Sequence, residues 1–455
     1  MTIIGDGRGG VFCENSLDRP EGWSAAAQGD VRFGQFDVVL ANPPFGKKLR
    51  IEDADILSNY NLGKKWTRDK KNDRYIQSDE LLDAQVPQVL FVERCLSLIK
   101  SGGRIGIILP ESMLCNPSHR YVIEYIKSVA RITAVISFPE ELFQPFTHAK
   151  ACGVLIEKIP TDSAKPHSIF MAATRWCGHD SRGIHIPHDD IPAVQRQYEI
   201  FKAGRELDHD HLGFSMLSSE IKGDVYLPKY YNPELEAAIE SLSETHDLVK
   251  ISDLLDEGII EITTGHEVGK LAYGTGPIPF VRTSDIANWE LKLDPKHGLS
   301  AEIYEAYREK QDVRANDILM VRDGTYLVGT CAMVSEAETR IVYQSHIYKI
   351  RVNDIDAITP QLLLAVLSSP IVRAQIYAKR FTQDIIDTLG QIIKEIVLPI
   401  PKDLGSRENI VLDVSEALDL KKRARSLARN ASLKVSANIT IDPDADEEAF
   451  LTLSR

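Results

Sequence analysis

Apolar positions in the first 160 residues follow two different periods. Runs at 11–13, 36–41, 104–109, 132–138 and 152–159 have the length and composition of strands, whereas 86–99 and 118–128 repeat at helical spacing. In 86–99 the residues Val89, Leu90, Val92, Leu96 and Ile99 share one face, which predicts a helix lying on a sheet. The step from Ile99 to Arg104 passes through Gly102 and Gly103 and predicts a helix C-cap followed by strand entry. Alternation of this kind predicts an α/β layer fold, a partial doubly wound sheet that is largely parallel.

Residues 161–245 are rich in His, Asp and Pro, lack long apolar runs, and read as a connecting segment. A second organisation occupies 246–405: strand-like stretches at 250–255, 259–264, 278–281, 317–321, 328–335 and 346–352, then helices at 360–367 and 371–380. This predicts a separate α+β domain. Residues 406–435 predict a C-terminal helix, with Lys421, Lys422, Arg423, Arg425 and Arg429 late in it, where they suit the helix dipole and can meet a partner or DNA. Residues 436–455 form an acidic tail, and no repeat of fixed period is present.

Composition narrows the class. A chain of 455 residues, 43% hydrophobic and 26% charged, has the make-up of a globular protein with two or three domains. No apolar run approaches the roughly 18–20 residues that span a bilayer. With no basic, apolar leader at the start, the expected compartment is the cytoplasm, with no membrane partner. Six cysteines, without a Cys-x-x-Cys pair, indicate neither a zinc site nor a disulfide framework. The formal charge of -13 excludes a uniformly basic DNA-coating protein but leaves room for local phosphate-binding clusters.

The densest chemical signal is Phe36-Asp-Val-Val-Leu-Ala-Asn-Pro-Pro-Phe-Gly46. An exocyclic amine is a poor nucleophile because its lone pair is conjugated into the ring. Two acceptors on its two N–H bonds draw the nitrogen toward sp3 geometry. The Asn42 side-chain carbonyl and the Pro43 backbone carbonyl suit this, with Pro43 and Pro44 stiffening the loop and Phe45 available to stack on the base. A base inside a duplex must be flipped out to reach such a pocket. The chemistry requires no metal.

Further stretches join this motif: Cys13-Glu-Asn-Ser-Leu17, Gly102 to Glu111, and Val135 to Pro139 with Phe143 and Lys150. Together they resemble the later part of the methylase domain of N6-adenine DNA methyltransferases, particularly the modification subunit of type I restriction systems. The resemblance covers residues 1–160. It implies S-adenosyl-L-methionine as cofactor, Asn15 near that cofactor and the target amine, and Asn42, Pro43, Pro44 and Phe45 as the base pocket. The loop that follows is basic: Lys47, Lys48, Arg50, Lys64, Lys65, Arg68, Lys70, Lys71 and Arg74, interleaved with Trp66 and Tyr75. It reads as a phosphate-contacting surface, or as a solvated loop, since Glu52, Asp69 and Asp73 dilute its charge.

Residues 246–430 are similar to a target-recognition domain, with its following helix, from the specificity subunits of the same systems. Lys250 to Leu254, Pro279 to Ile286, Asp317 to Gly324 and Val397 to Pro401 carry this likeness. It implies base reading by Arg282, Thr283, Ser284, Arg322, Thr325 and Tyr326 on double-stranded DNA. His266, His297 and His346 show no ligand spacing and read as structural.

By the family's pattern the strand order is 3-2-1-4-5-7-6, with the Gly-rich cofactor strand and an acid-tipped strand lying ahead of residue 1. If 11–13 is strand 3 and 36–41 is strand 4, the latter is an unpaired apolar edge. Gly5, Gly7, Gly9 and Gly10 follow no apolar strand and do not replace the cofactor loop. The expectation is therefore a site-specific adenine-N6 methyltransferase that binds cofactor poorly alone. An upstream methylase fragment, or other restriction-modification subunits, would complete it. The alternatives are a catalytically inactive remnant that binds DNA through its recognition domain, and an amino-methyltransferase acting on RNA or protein glutamine.

Overall fold

The computed structural model describes residues 10–44, 46, 49–69, 71–72, 74–159, 165–207, 212–292, 295–324, 326–383 and 386–436. The chain divides into two compact units, one through Ala238 with Tyr377–Leu389, the other Ile239–Ile376 with the residues from Gly390.

The first unit is built on β1 (Phe36–Ala41), β4 (Ile99–Pro110), β5 (Ala130–Ser137), β6 (Ala151–Lys158), β7 (Ser168–Ala173) and β10 (Gly213–Leu217). Their order is β1-β4-β6-β5-β7-β10. β1 runs parallel to β4 and β5 parallel to β7, while β6 is antiparallel to both its neighbours and β10 is antiparallel to β7. The sheet is thus mixed, not largely parallel. β6 follows β5 through a loop and turns back between β4 and β5, an insertion that short-range periodicity does not encode.

Helix α3 (Pro87–Leu98) starts with a proline at its first turn and buries Val89, Leu90, Val92, Cys95 and Leu96. It packs on β4, as α4 (Arg120–Val129) packs on β5 and α5 (Ile191–Lys202) on β7 and β10. Two expectations change here. Residues 11–13 form no strand, and Val11 is 61% exposed, since no neighbouring strand pairs with it among the described residues. α3 ends at its C-cap Ile99 and β4 begins there, as the step predicts, but the glycines lie inside the strand rather than in the cap: Phe36 faces Ile99 and Val38 faces Arg104, so four residues bulge out, with Gly102 at φ +74°. A Cβ on Gly103 would come within 3.1 Å of the Phe36 carbonyl, which is why the bulge closes on glycine. Residues 168–217, irregular by sequence pattern, supply β7, α5 and β10. The buried Phe170 of β7 packs among Ala134, Ala172 and Val194.

The second unit has a four-stranded antiparallel sheet in the order Ile260–Thr264, Ile347–Val352, Ile318–Val321, Cys331–Met333. Its core includes Val281, Leu319, Val321, Ala332, Tyr343 and Ile347. The 250–255 stretch, expected as a strand, is the end of strand His246–Lys250 followed by helix Ile251–Asp256. Arg351 lies bidentate on the buried Asp317 at 2.8 Å and also reaches Asp312 at 2.8 Å. Helix Leu404–Ser436 packs on Pro360–Ser368. Within the second unit, Lys421 and Arg425 are turned onto Glu290 and Glu338. Among the described residues no single helix is long and apolar enough to cross a membrane.

Candidate active site and nucleic-acid interface

Strand register places several chain ends on one edge of the first sheet. Ala41 at the end of β1 faces Ile107, Pro110 at the end of β4 faces Ala151, and Ser137 at the end of β5 faces Cys152. Asn42, Glu111, Phe138 and Lys150 therefore follow along the same lip. Pro43 is buried while Asn42 and Pro44 are exposed. No hydrogen bond within the described residues occupies the Asn42 amide, so its carbonyl is available to an incoming group. Phe45, Lys47 and Lys48 lie outside the described residues.

Next along the lip, Lys229 Nζ sits 2.6 Å from Glu111 Oε1, with both side chains largely withdrawn from water. The Glu111 amide is held by the Lys150 carbonyl at 2.9 Å. Cys152 lies beneath, its thiol pushed up to about 12 by burial and by the Glu111 carboxylate. Sequence pattern did not reveal this pair, because Glu111 and Lys229 are 118 positions apart. The loop between β5 and β6 leaves Phe146 95% exposed.

Asn15 occupies a different neighbourhood. Its side chain accepts from Leu17 N at 3.2 Å and donates to Asp18 at 2.9 Å, closing its own turn. Arg94 of α3 anchors that turn, donating to the carbonyls of Leu17 and Asp18. Asn15 is thus engaged in local structure.

The basic loop forms a hairpin, β2 (Lys64–Asp69) against β3 (Arg74–Leu81). Across it Lys64 pairs with Asp79 and Lys65 with Glu80, the latter bond raising the Lys65 ammonium above its ordinary range. Trp66 does not interleave with free cations; it packs on Tyr121 and Tyr125 of α4 at 6.2 and 6.4 Å. Arg68 also has bonding partners. The structure thus places Lys64 and Lys65 in surface ion pairs, in a loop that the sequence left open between a phosphate-contacting surface and a solvated one.

In the second unit Arg282, Thr283 and Ser284 form a short turn capped by the buried Asp285, which accepts from Arg282 N at 2.9 Å and Ser284 Oγ at 3.2 Å. Arg322 lies over the Tyr348 ring at 5.8 Å, and Tyr326 is 81% exposed. Thr325 lies outside the described residues. Among the described residues no group of three His, Cys, Asp or Glu side chains is placed to hold a metal.

The described residues thus offer a lip with an exposed asparagine amide, and no cradle for a nucleoside cofactor is among them. Among the described residues no glycine-rich strand-to-helix turn lies beside Asn42, and the outer edge of β1 pairs with none of them. Val38 and Leu40 on that strand are 46% and 82% exposed.

Residues 9–234 match the family model described as N-6 DNA Methylase, which supports a methyltransferase role. No curated protein matches the chain in sequence. Among solved structures, the chain is similar to the type IIG restriction endonuclease BpuSI, with 13% identity, TM-score 0.39, and 89% of this chain and 50% of that one covered. It is also similar to a type I restriction-modification methyltransferase subunit from Streptococcus thermophilus (16%, TM-score 0.27, 44% and 37% covered). A type I S subunit from M. genitalium matches at 14% identity and TM-score 0.30, with 42% and 44% covered. The chain spans half or less of the length of each.

Proposed function

We propose that this chain is the amine-binding and target-recognition part of a site-specific DNA adenine-N6 methyltransferase of a restriction-modification system. The observation that carries the reading is the exposed Asn42 amide, without a partner among the described residues, at the end of a strand in the region that matches the methylase family. Asn42 Oδ1 and the Pro43 carbonyl accept from the two N–H bonds of a flipped adenine and pull its nitrogen out of conjugation. Pro44 holds both acceptors in place, and Phe45 stacks on the base. S-adenosyl-L-methionine supplies the methyl group.

The cofactor cradle, on this reading, belongs to a polypeptide that pairs with the open edge of β1, which an N-terminal methylase fragment or another restriction-modification subunit would provide. Exposure of Val38 and Leu40 supports such a cover. The second unit reads duplex sequence. A DNA-binding remnant without transferase activity is the second reading, favoured by the missing cradle among the described residues. The separating experiment is Asn42→Ala in a complex that methylates DNA. Methyl transfer should fall by about 100- to 1,000-fold, as when one transition-state hydrogen-bond partner is lost. The melting temperature should hold, because the side chain is exposed and bonds to nothing among the described residues. Transfer within a few-fold of wild type overturns the assignment.

A further inference from the structure

Three loops meet at one end of the second unit's sheet. Thr264 faces Tyr348 and Val321 faces Ile347, so the chain beyond Thr264, beyond Val321 and before Ile347 emerges at the same edge. His346 joins them. Its Nδ1 is 2.9 Å from Asp323 Oδ2 on one loop, and its Nε2 is 3.7 Å from Glu267 Oε1 on another. Asp323 is buried, whereas Glu267 is exposed and also accepts from Ser345 Oγ. A carboxylate thus stands across from each ring nitrogen, within hydrogen-bond distance on the Asp323 side.

Arg322 completes the group. Its guanidinium lies over Tyr348, and its Nε is 3.3 Å from Asp323 Oδ1 but off hydrogen-bond geometry, buried and without a hydrogen-bond partner among the described residues. One carboxylate therefore stands against both Arg322 and His346. Tyr326, four residues beyond Arg322 on the same loop, is 81% exposed.

We propose that Arg322 and His346 are a coupled guanine-reading pair, held by Asp323 and masked by Glu267 until duplex DNA replaces it. This rests on the second unit being the DNA-reading part. The guanine edge presents two acceptors, N7 and O6, which match the donors of a guanidinium and an imidazole. Glu267 is the acceptor that fills this place without DNA, and guanine must displace it.

Selection from a randomised duplex library with the full chain tests this, alongside His346→Ala, Arg322→Gln and Glu267→Gln. Wild type should enrich guanine at defined positions. His346→Ala and Arg322→Gln should both lower the preference at the same one of those positions by about 10- to 100-fold, leaving the others unchanged. Glu267→Gln, an exposed substitution that leaves the fold intact, should tighten binding to guanine-containing sites. Uniform weakening of all sequences by the first two variants would make them phosphate contacts and overturn the pair. A preference that persists unchanged in all three variants overturns the pair while leaving the recognition role standing. Absence of any preference in wild type overturns both.

Discussion

Arg94 is the side chain on which the segment ahead of β1 depends, and replacing it with Met is the sharpest test of how that segment is held. Arg94 is 4% exposed, and its Nη2 donates to Leu17 O at 3.0 Å, Asp18 O at 2.7 Å and the Tyr60 hydroxyl. Its guanidinium lies 5.8, 5.0 and 5.2 Å from the ring centres of Trp23, Phe33 and Tyr60. Met keeps the apolar stem and removes the charge. The Asp18 carbonyl then loses its partner, which costs about 1–3 kcal/mol, whereas Leu17 O keeps Tyr60 Oη at 2.7 Å. Three cation–π contacts add about 0.5–1 kcal/mol each, and relief of the buried charge offsets part of the total. The net expectation is a loss of about 3 kcal/mol. For a unit of this size that lowers the melting temperature by about 6–12 °C. The assay is thermal unfolding of the full chain with limited proteolysis of residues 10–35, where cleavage should accelerate in the variant. A melting temperature within 1 °C of wild type, with unchanged cleavage, refutes the anchoring role.

Lys229→Met leaves the Glu111 carboxylate buried without its cation and should cost about 3 kcal/mol in urea unfolding. Adding Glu111→Gln should recover most of that loss. Buried Cys95 and Cys152 are both raised from 9.0 to about 12, chiefly by burial, so folding keeps them protonated where the unfolded chain ionises. The stability they lend is full below pH 9 and is lost as pH rises from 9 toward 12; unfolding midpoints across that window should fall, and less steeply in Cys95→Ala. Leu40→Lys on the open edge of β1 should reduce self-association in sedimentation without lowering the melting temperature, because Leu40 is 82% exposed.

Local pattern in the sequence was enough to locate β1 and its run into Asn42-Pro43-Pro44, and to identify α3, β4, α4, β5 and β6 as helices or strands. Each of these depends on residues within a few positions of one another, so periodicity and proline chemistry suffice. Partner choice was not legible. That β6 turns back between β4 and β5, that β7 and β10 extend the sheet, and that 11–13 stays unpaired are set by which distant strand offers hydrogen bonds. The same limit governs the candidate sites. Lys64 and Lys65 looked free because their acids, Asp79 and Glu80, become opposite only through hairpin register. His346 showed no ligand spacing because Asp323 and Glu267 reach it from separate loops. Sequence by itself determined where the Asn42-Pro43-Pro44 run stands and most of the helices and strands between β1 and β6. Only the tertiary structure decided which charges are paired, which strands lie side by side and which donors converge, since those follow from contacts between residues that the chain keeps far apart.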